Sequence, residues 1–250
     1  MTRELENRVA VVTGAAHNIG RAIALELARA GAAVMVNALG SADAAMEVAT
    51  SIERAGGRAL VHLADVTSPE AADRLMAGAA EAFGGIDILV NNAAIRRETP
   101  FERLGLAQWR EVTSVILDGA YICAAAAQSW LRRSDAGSIV NIGGMSAHTG
   151  SAARAHVMAA KAGLTGLTRA LAMDLADAGV TANCVVPGLI DTVRGHSTGG
   201  EPEHHRRIAN PLGRRGRPEE IAYLVRFLAG PGARYITGQS IHANGGAFMA

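Results

Sequence analysis

The sequence predicts a doubly wound α/β domain with a parallel sheet and helices on both faces. Three observations carry this. Short β-branched runs alternate along the whole chain with helical stretches of 10–15 residues or more. A glycine-rich turn after the first run opens directly into a helix. Polar or turn clusters follow the third, fourth and sixth runs, at the carboxyl ends where such sheets bind ligands. The 250 residues suffice for one such domain over 1–250.

The elements follow in order. Arg8–Thr13 reads as the first strand, then Gly14 to Gly20 as the turn. Ile19–Ala30 has apolar residues at helical spacing and stops at Gly31. Ala33–Ala38 is the second strand, Ala42–Ala55 a helix ended by Gly56-Gly57, and Ala59–Ala64 the third strand. Ser68 caps the next helix with Pro69 at its first position. That helix runs to about Phe83. Ile86–Asn91 is the fourth strand, Gln108–Arg132 a long helix, Gly137–Ile142 the fifth strand and Ala152–Ala178 another long helix. Val180–Val186 is the sixth strand, stopped by Pro187-Gly188. Pro218–Leu228 is helical, and Gly238–His242 makes the last strand.

Composition excludes several classes. A net charge of +1 gives no general field for nucleic acid or an anionic membrane. The N-terminus is polar, with no signal region, and no apolar run approaches bilayer-spanning length. Cys123 and Cys184 sit in apolar runs and read as buried hydrophobes. No metal site is expected, because adjacent His204-His205 read as solvated. A cytoplasmic protein with a small-molecule substrate is the expectation, without nucleic acid or membrane as partner.

Lys161 is the single lysine among 24 basic residues; all the others are arginine. A site that needs lysine needs a compact ammonium with three rotatable donors, not a flat fork. The turn Thr13-Gly14-Ala15-Ala16-His17-Asn18-Ile19-Gly20 suits a pyrophosphate, since glycines admit the backbone closely and the helix start supplies donors. Asp65-Val66, Asn91-Asn92-Ala93-Ala94 and Pro187-Gly188-Leu189-Ile190-Asp191-Thr192 stand at the other strand ends.

Taken together, these residues resemble the short-chain dehydrogenase/reductase family. The resemblance spans the chain, and includes Thr237-Gly238-Gln239 near its end. It implies a Rossmann-like sheet of about seven strands that binds NADP or NAD. It implies Gly14, Ile19 and Gly20 under the cofactor, Asp65 and Val66 at the adenine, and Asn91 beside the ribose, in a turn shared with Ala93. Lys161 would donate to the nicotinamide ribose. Pro187, Ile190 and Thr192, with Gly188 in the same loop, would border the carboxamide. A dimer or tetramer is the implied assembly.

The chain departs from that pattern where the chemistry lies. The family's tyrosine, four residues before the lysine, is Val157. Its serine, thirteen residues before the tyrosine, is Gly144. Its asparagine falls at Ile116. Asn18 replaces the second glycine of the phosphate turn, and Ala94 ends the asparagine turn. Valine has no proton to give. Three substitutes are therefore candidates beside Lys161. His156 is adjacent, though on a helix it points about 100° from Val157. Ser146 and His148 follow the fifth strand on the substrate side.

The second strand ends in Asn37-Ala38-Leu39-Gly40, with no acid for a ribose 2′-hydroxyl. His17 stands where relatives that prefer a 2′-phosphate carry a cation. These features favour NADP over NAD, and the missing arginine after the strand weighs against it. The polar, glycine-rich segment within 193–217 reads as a lid, and its Arg206-Arg207 and Arg214-Arg215-Gly216-Arg217 as an anion-attracting or solvated surface. Three activities stay open: an NAD(P)-dependent oxidoreductase with an unconventional proton path, a nucleotide-binding relative that has lost catalysis and serves as regulator or partner subunit, and a non-redox lyase or isomerase.

Overall fold

Seven parallel strands form one sheet in a computed structural model that describes residues 3–193 and 210–249. The strands are β1 (Val9–Val12), β2 (Ala33–Ala38), β3 (Arg58–Leu63), β4 (Ile88–Asn91), β5 (Ser138–Ile142), β6 (Thr181–Pro187) and β7 (Ser240–Ala243). Their spatial order is β3-β2-β1-β4-β5-β6-β7. The order reverses direction between β1 and β4, so their carboxyl ends flank the crevice where a ligand fits. The helices are α1 (Asn18–Arg29), α2 (Ala42–Arg54), α3 (Pro69–Phe83), α4 (Leu106–Thr113), α5 (Gly119–Leu131), α6 (Ser146–Thr149), α7 (Ala155–Asp174) and α8 (Pro218–Ala229).

Strand residues alternate between two buried layers, as the two-residue period requires. Ala10, Val12, Val34, Val36, Ile88 and Val90 face the layer shared with α1, α2 and α8. Val11, Met35, Leu89 and Ile139 face the layer shared with α3, α5 and the end of α7. A sheet buried on both faces needs such continuous apolar runs. Ser68 caps α3 as expected, its Oγ accepting from the Ala71 N–H at 3.2 Å.

Four local expectations are corrected. The long helix expected over Gln108–Arg132 is broken by a π turn at Ser114–Asp118, which joins α4 to α5. The last long helix is shorter at both ends than Ala152–Ala178. Ala153 takes a positive φ of 57° and Arg154 is not helical, so α7 starts at Ala155. Beyond Asp174 the chain tightens into a single turn of 3-10 helix, Ala176–Ala178, closed by left-handed Gly179. The stretch carrying Ser146 and His148 is a one-turn helix rather than a loop. The rod Leu106–Leu131 has the length and apolarity to cross a membrane, contrary to the reading of the sequence. Part of it packs in the core, with Cys123, Ala124, Ala127 and Leu131 buried in the layer that also holds α3. His204, His205, Arg206 and Arg207, with most of the expected lid, lie outside the described residues.

Candidate active site

A cavity of about 710 Å³ opens at the carboxyl ends of the strands. One side is the phosphate turn. Gly14 sits at φ 60° and an added Cβ would stand 3.0 Å from Ala93 Cα. At Gly20 an added Cβ would meet the Gly14 carbonyl oxygen at 2.3 Å, so α1 presses directly on its own turn. Thr13 and Asn92 lock this turn to β4. Thr13 Oγ1 accepts from the Asn92 and Ala93 N–H groups at 3.0 and 3.1 Å. Asn92 Nδ2 donates to the Thr13 and Gly14 carbonyls at 2.9 Å each.

The turn leaves the start of α1 available to an anion. His17, at the N-cap, is exposed and makes no side-chain capping bond. Asn18, at φ 50°, instead clasps Val193. Its Nδ2 donates to the Val193 carbonyl and its Oδ1 accepts the Val193 N–H, both at 2.9 Å. The first N–H groups of the helix therefore keep their donor capacity and the positive end of its dipole. A pyrophosphate fits this donor set.

Several of the expected cofactor-binding residues also brace the site. Asn37 is buried; its Oδ1 accepts from the Gly14 N–H at 3.3 Å and its Nδ2 donates to the His62 and Ala64 carbonyls at 3.2 and 3.1 Å. Asn91 Nδ2 donates to Asn141 Oδ1 at 2.8 Å, and Asn141 Nδ2 donates in turn to Thr168 Oγ1 at 2.9 Å, a polar ladder through β4, β5 and α7. Asp65 is exposed at the end of β3, and its Oδ1 accepts from the Thr67 N–H at 2.9 Å. Val66 is buried against Gly119.

The other side is the reaction wall. Ile19, Ser146, Lys161, Pro187 and Gly188 line the cavity, as do Ile190 and Thr192. Val157 and Gly144, at the positions of the missing acid and serine, line it as well. Val157 packs with Ile116, Val112, Ala120, Ala160 and Leu164 in one apolar cluster. Two of the three replaced polar positions thus share one dry patch, and the π turn carries Ile116 into it. At Gly144 the nearest atom to an added Cβ would be Lys161 Cγ at 3.9 Å, which is open space.

Lys161 is half-buried, and its Nζ donates to the Ile142 carbonyl at the end of β5. Burial, then the Arg96 charge, pulls its pKa down from 10.5 to about 8, and Arg154 adds to the effect. Both cysteines are fully buried, and burial pushes Cys123 up to about 12 and Cys184 up to about 11. These thiols stay protonated near neutrality and are not nucleophiles.

The two histidines are not on the wall. Although α7 starts late, His156 is completely buried, and neither ring nitrogen has a hydrogen-bond partner. Burial, with the Arg154 charge, holds its pKa below the usual value. It packs in the core and does not line the cavity. His148 stacks edge-on to His242 at 4.7 Å and lies 5.6 Å from the Phe248 ring. Of the three suggested substitutes, only Ser146 reaches the cavity.

Reading the sequence passed over Arg96, Arg97 and Arg154 on this wall, and named Arg215 only within a basic cluster. Arg96 and Arg97 follow the asparagine turn, Arg154 precedes α7, and Arg215 follows the undescribed segment; all line the cavity. The strand-end rule reached as far as Ala94, and Arg96 stands only two residues beyond. Arg214, grouped with Arg215 in the sequence, is instead committed to Glu220 by two bonds of 2.8 and 2.7 Å.

Known proteins match this chain over almost its whole length. Residues 14–247 match the family described as enoyl-(acyl carrier protein) reductase. The chain is 40% identical to a 3-oxoacyl-[acyl-carrier-protein] reductase of Synechocystis, over 98% of both chains. A dehydrogenase/reductase from Sinorhizobium meliloti superposes with a TM-score of 0.93 at 37% identity, covering 99% of this chain and 98% of that one. A short-chain dehydrogenase from Burkholderia cenocepacia, solved in complex with NADP, gives 0.91 at 36% identity over 98% of this chain and 99% of its own. With its sheet order, its glycine-rich turn, its single lysine and these relatives, the chain belongs to the short-chain dehydrogenase/reductase family of NAD(P)-dependent oxidoreductases.

Proposed function

We propose that this protein transfers a hydride between NADP(H) or NAD(H) and a small carbonyl or alcohol, with Lys161 as the proton-bearing group on the reaction wall. The observation that carries this reading is the position of Lys161. It stands on a cavity wall from which tyrosine and serine are gone, beside the open space at Gly144.

Gly14, Ile19 and Gly20, with the start of α1, hold the cofactor pyrophosphate; Pro187, Gly188, Ile190 and Thr192 flank the nicotinamide. When bound, the nicotinamide supplies or accepts the hydride. His17 stays the one cation candidate near a 2′-phosphate, so NADP remains slightly favoured.

The protein's own part is electrostatic and protic. Lys161 has three donors. The Ile142 carbonyl takes one. The others can hold a sugar hydroxyl and a substrate oxygen. A group whose pKa lies near the working pH is suited to passing a proton in either direction, and Lys161 at about 8 is such a group. Ser146, on the one-turn helix that follows β5, orients the substrate oxygen. Val157 and Ile116 keep that side of the pocket dry, which strengthens every charge interaction inside.

The test couples binding to turnover. NADPH and NADH are titrated against the protein by nicotinamide fluorescence. The loaded protein is then mixed with a panel of ketones and aldehydes, and absorbance is followed. Binding of at least one cofactor and its oxidation by some member of the panel is expected. Failure of both cofactors to bind would overturn the assignment. The apolar Val157–Ile116 patch favours one rival, a relative that binds nucleotide and serves as a silent or regulatory subunit. That rival predicts binding without turnover across the whole panel. A lyase or isomerase would turn over with constant nicotinamide absorbance.

A further inference from the structure

The reaction wall carries several basic side chains. Lys161, Arg96, Arg154 and Arg215 line the cavity, from α7, the loop after β4, the residue before α7 and the loop before α8. Arg97, which pairs with Glu111 at 2.6 Å, lines it as well. Among the described residues, Glu98 is the one acid on the lining. The remaining lining near these charges is apolar or small, including Ile95, Ile142, Met145, Val157 and Leu189. A low-dielectric wall bearing like charges concentrates a field and draws in the opposite sign.

Two further observations locate that field. Arg96 Nη1 reaches Thr192 Oγ1 at 3.5 Å, so the guanidinium lies across the mouth between the β4 and β6 loops. Arg96 and Arg154 both depress the Lys161 pKa, which places their charge within reach of its ammonium. The cofactor's own phosphates do not account for this set, because the start of α1 and the glycine turn supply their site at the other end of the groove. Guanidinium forks match the two oxygens of a carboxylate.

We infer that the cavity selects small carbonyl or hydroxy compounds that carry a carboxylate, with Arg96 and Arg154 holding that carboxylate while the reacting oxygen faces Lys161. This specificity rests on the oxidoreductase reading above and narrows its substrate class.

The experiment compares acetoacetate with methyl acetoacetate by calorimetric titration, on both the unloaded and the NADP⁺-loaded protein. The two probes share the carbonyl and differ in one charge. Acetoacetate is expected to bind at least about tenfold more tightly than the ester, with the preference shrinking as salt rises. Arg96→Gln and Arg154→Gln are each expected to remove most of that preference and to change NADP⁺ affinity by less than about twofold, a difference well inside one decade of binding constant. Equal binding of acid and ester by the wild-type protein would overturn the inference, and needs no variant to fold. So would arginine variants that lose NADP⁺ and acetoacetate together, since the cations would then serve the cofactor. Failure of NADP⁺ to bind would strike the oxidoreductase reading alone. The preference of the unloaded protein for acid over ester would still decide the specificity.

Discussion

The phosphate turn and the reaction wall face each other across one crevice, and they have been treated in opposite ways. The turn keeps a dense polar lattice. Thr13, Asn92 and Asn37 satisfy one another and the Gly14 backbone, and Gly20 is held where no Cβ fits. On the wall, Val157 and Gly144 stand where the family resemblance implies a tyrosine and a serine, and Val157 shares an apolar cluster with Ile116. The contrast teaches that nucleotide binding and proton handling are separable on this scaffold. The first depends on backbone shape and tolerates no change of volume. The second depends on a few side chains, which can be exchanged while the backbone beneath them stays put.

The sharpest way to break this comparison is to add one methyl or hydroxymethyl group on each side of the crevice. In Gly20→Ala the new Cβ meets the Gly14 carbonyl at 2.3 Å and Asn92 Nδ2 at 2.5 Å, so backbone must move. Overpacking of this kind costs about 1–3 kcal/mol, and cofactor affinity should fall with stability. In Gly144→Ser the new Cβ meets nothing closer than 3.9 Å, and stability should change by no more than about 0.5 kcal/mol. Denaturant titration of both variants measures the difference. Equal costs would refute the division into a rigid and a permissive side.

A smaller effect sharpens the role of the ammonium. Lys161→Met keeps length and removes charge. Loss of a charged hydrogen bond worth about 1.5–3 kcal/mol should weaken NADPH binding by roughly ten- to a hundredfold, read by fluorescence titration. In the wild-type protein the ammonium is present below a pKa of about 8 and neutral above it. Affinity should therefore decline as pH rises through about 8, and the Met variant should lack that step. A flat wild-type profile would remove Lys161 from the cofactor's sugar.

The mildest effect separates core from site. His156 is buried with its pKa below 6.5. The unfolded chain takes up a proton near 6.5 and the folded chain resists it. Stability should be full above about 6.5 and decline as pH falls through and below that value. His156→Leu should flatten this decline in thermal melts at pH 5 to 7 while leaving cofactor binding intact. An unchanged pH slope would show that the ring is not the group responsible, and loss of binding would return it to the site.

The order of strands and helices was legible because two periodicities and a row of glycines are local properties of a chain. The phosphate turn was legible for the same reason. Each misreading came where a neighbour in space overruled the local pattern. Asn37 and Asn91 look like ligand contacts by sequence, since both end strands beside the crevice. In the fold their amide nitrogens also donate to His62, Ala64 and Asn141, a bracing role that packing sets and the chain's local pattern does not show. His156 looked available beside an empty catalytic position, but the start of α7 turns it wholly into the core. Ile116 looked like an isolated loss, until the π turn brought it against Val157.

By itself, then, the sequence determined the class of the fold, the glycine-rich turn that opens the first helix and the singular lysine, since composition and spacing along the chain suffice for these. Only the tertiary structure decided that Arg96, Arg154 and Arg215 share a wall with that lysine. They come from segments up to 119 positions apart. A charge acts across space through the low-dielectric gap between its neighbours, and no pattern along the chain encodes that distance.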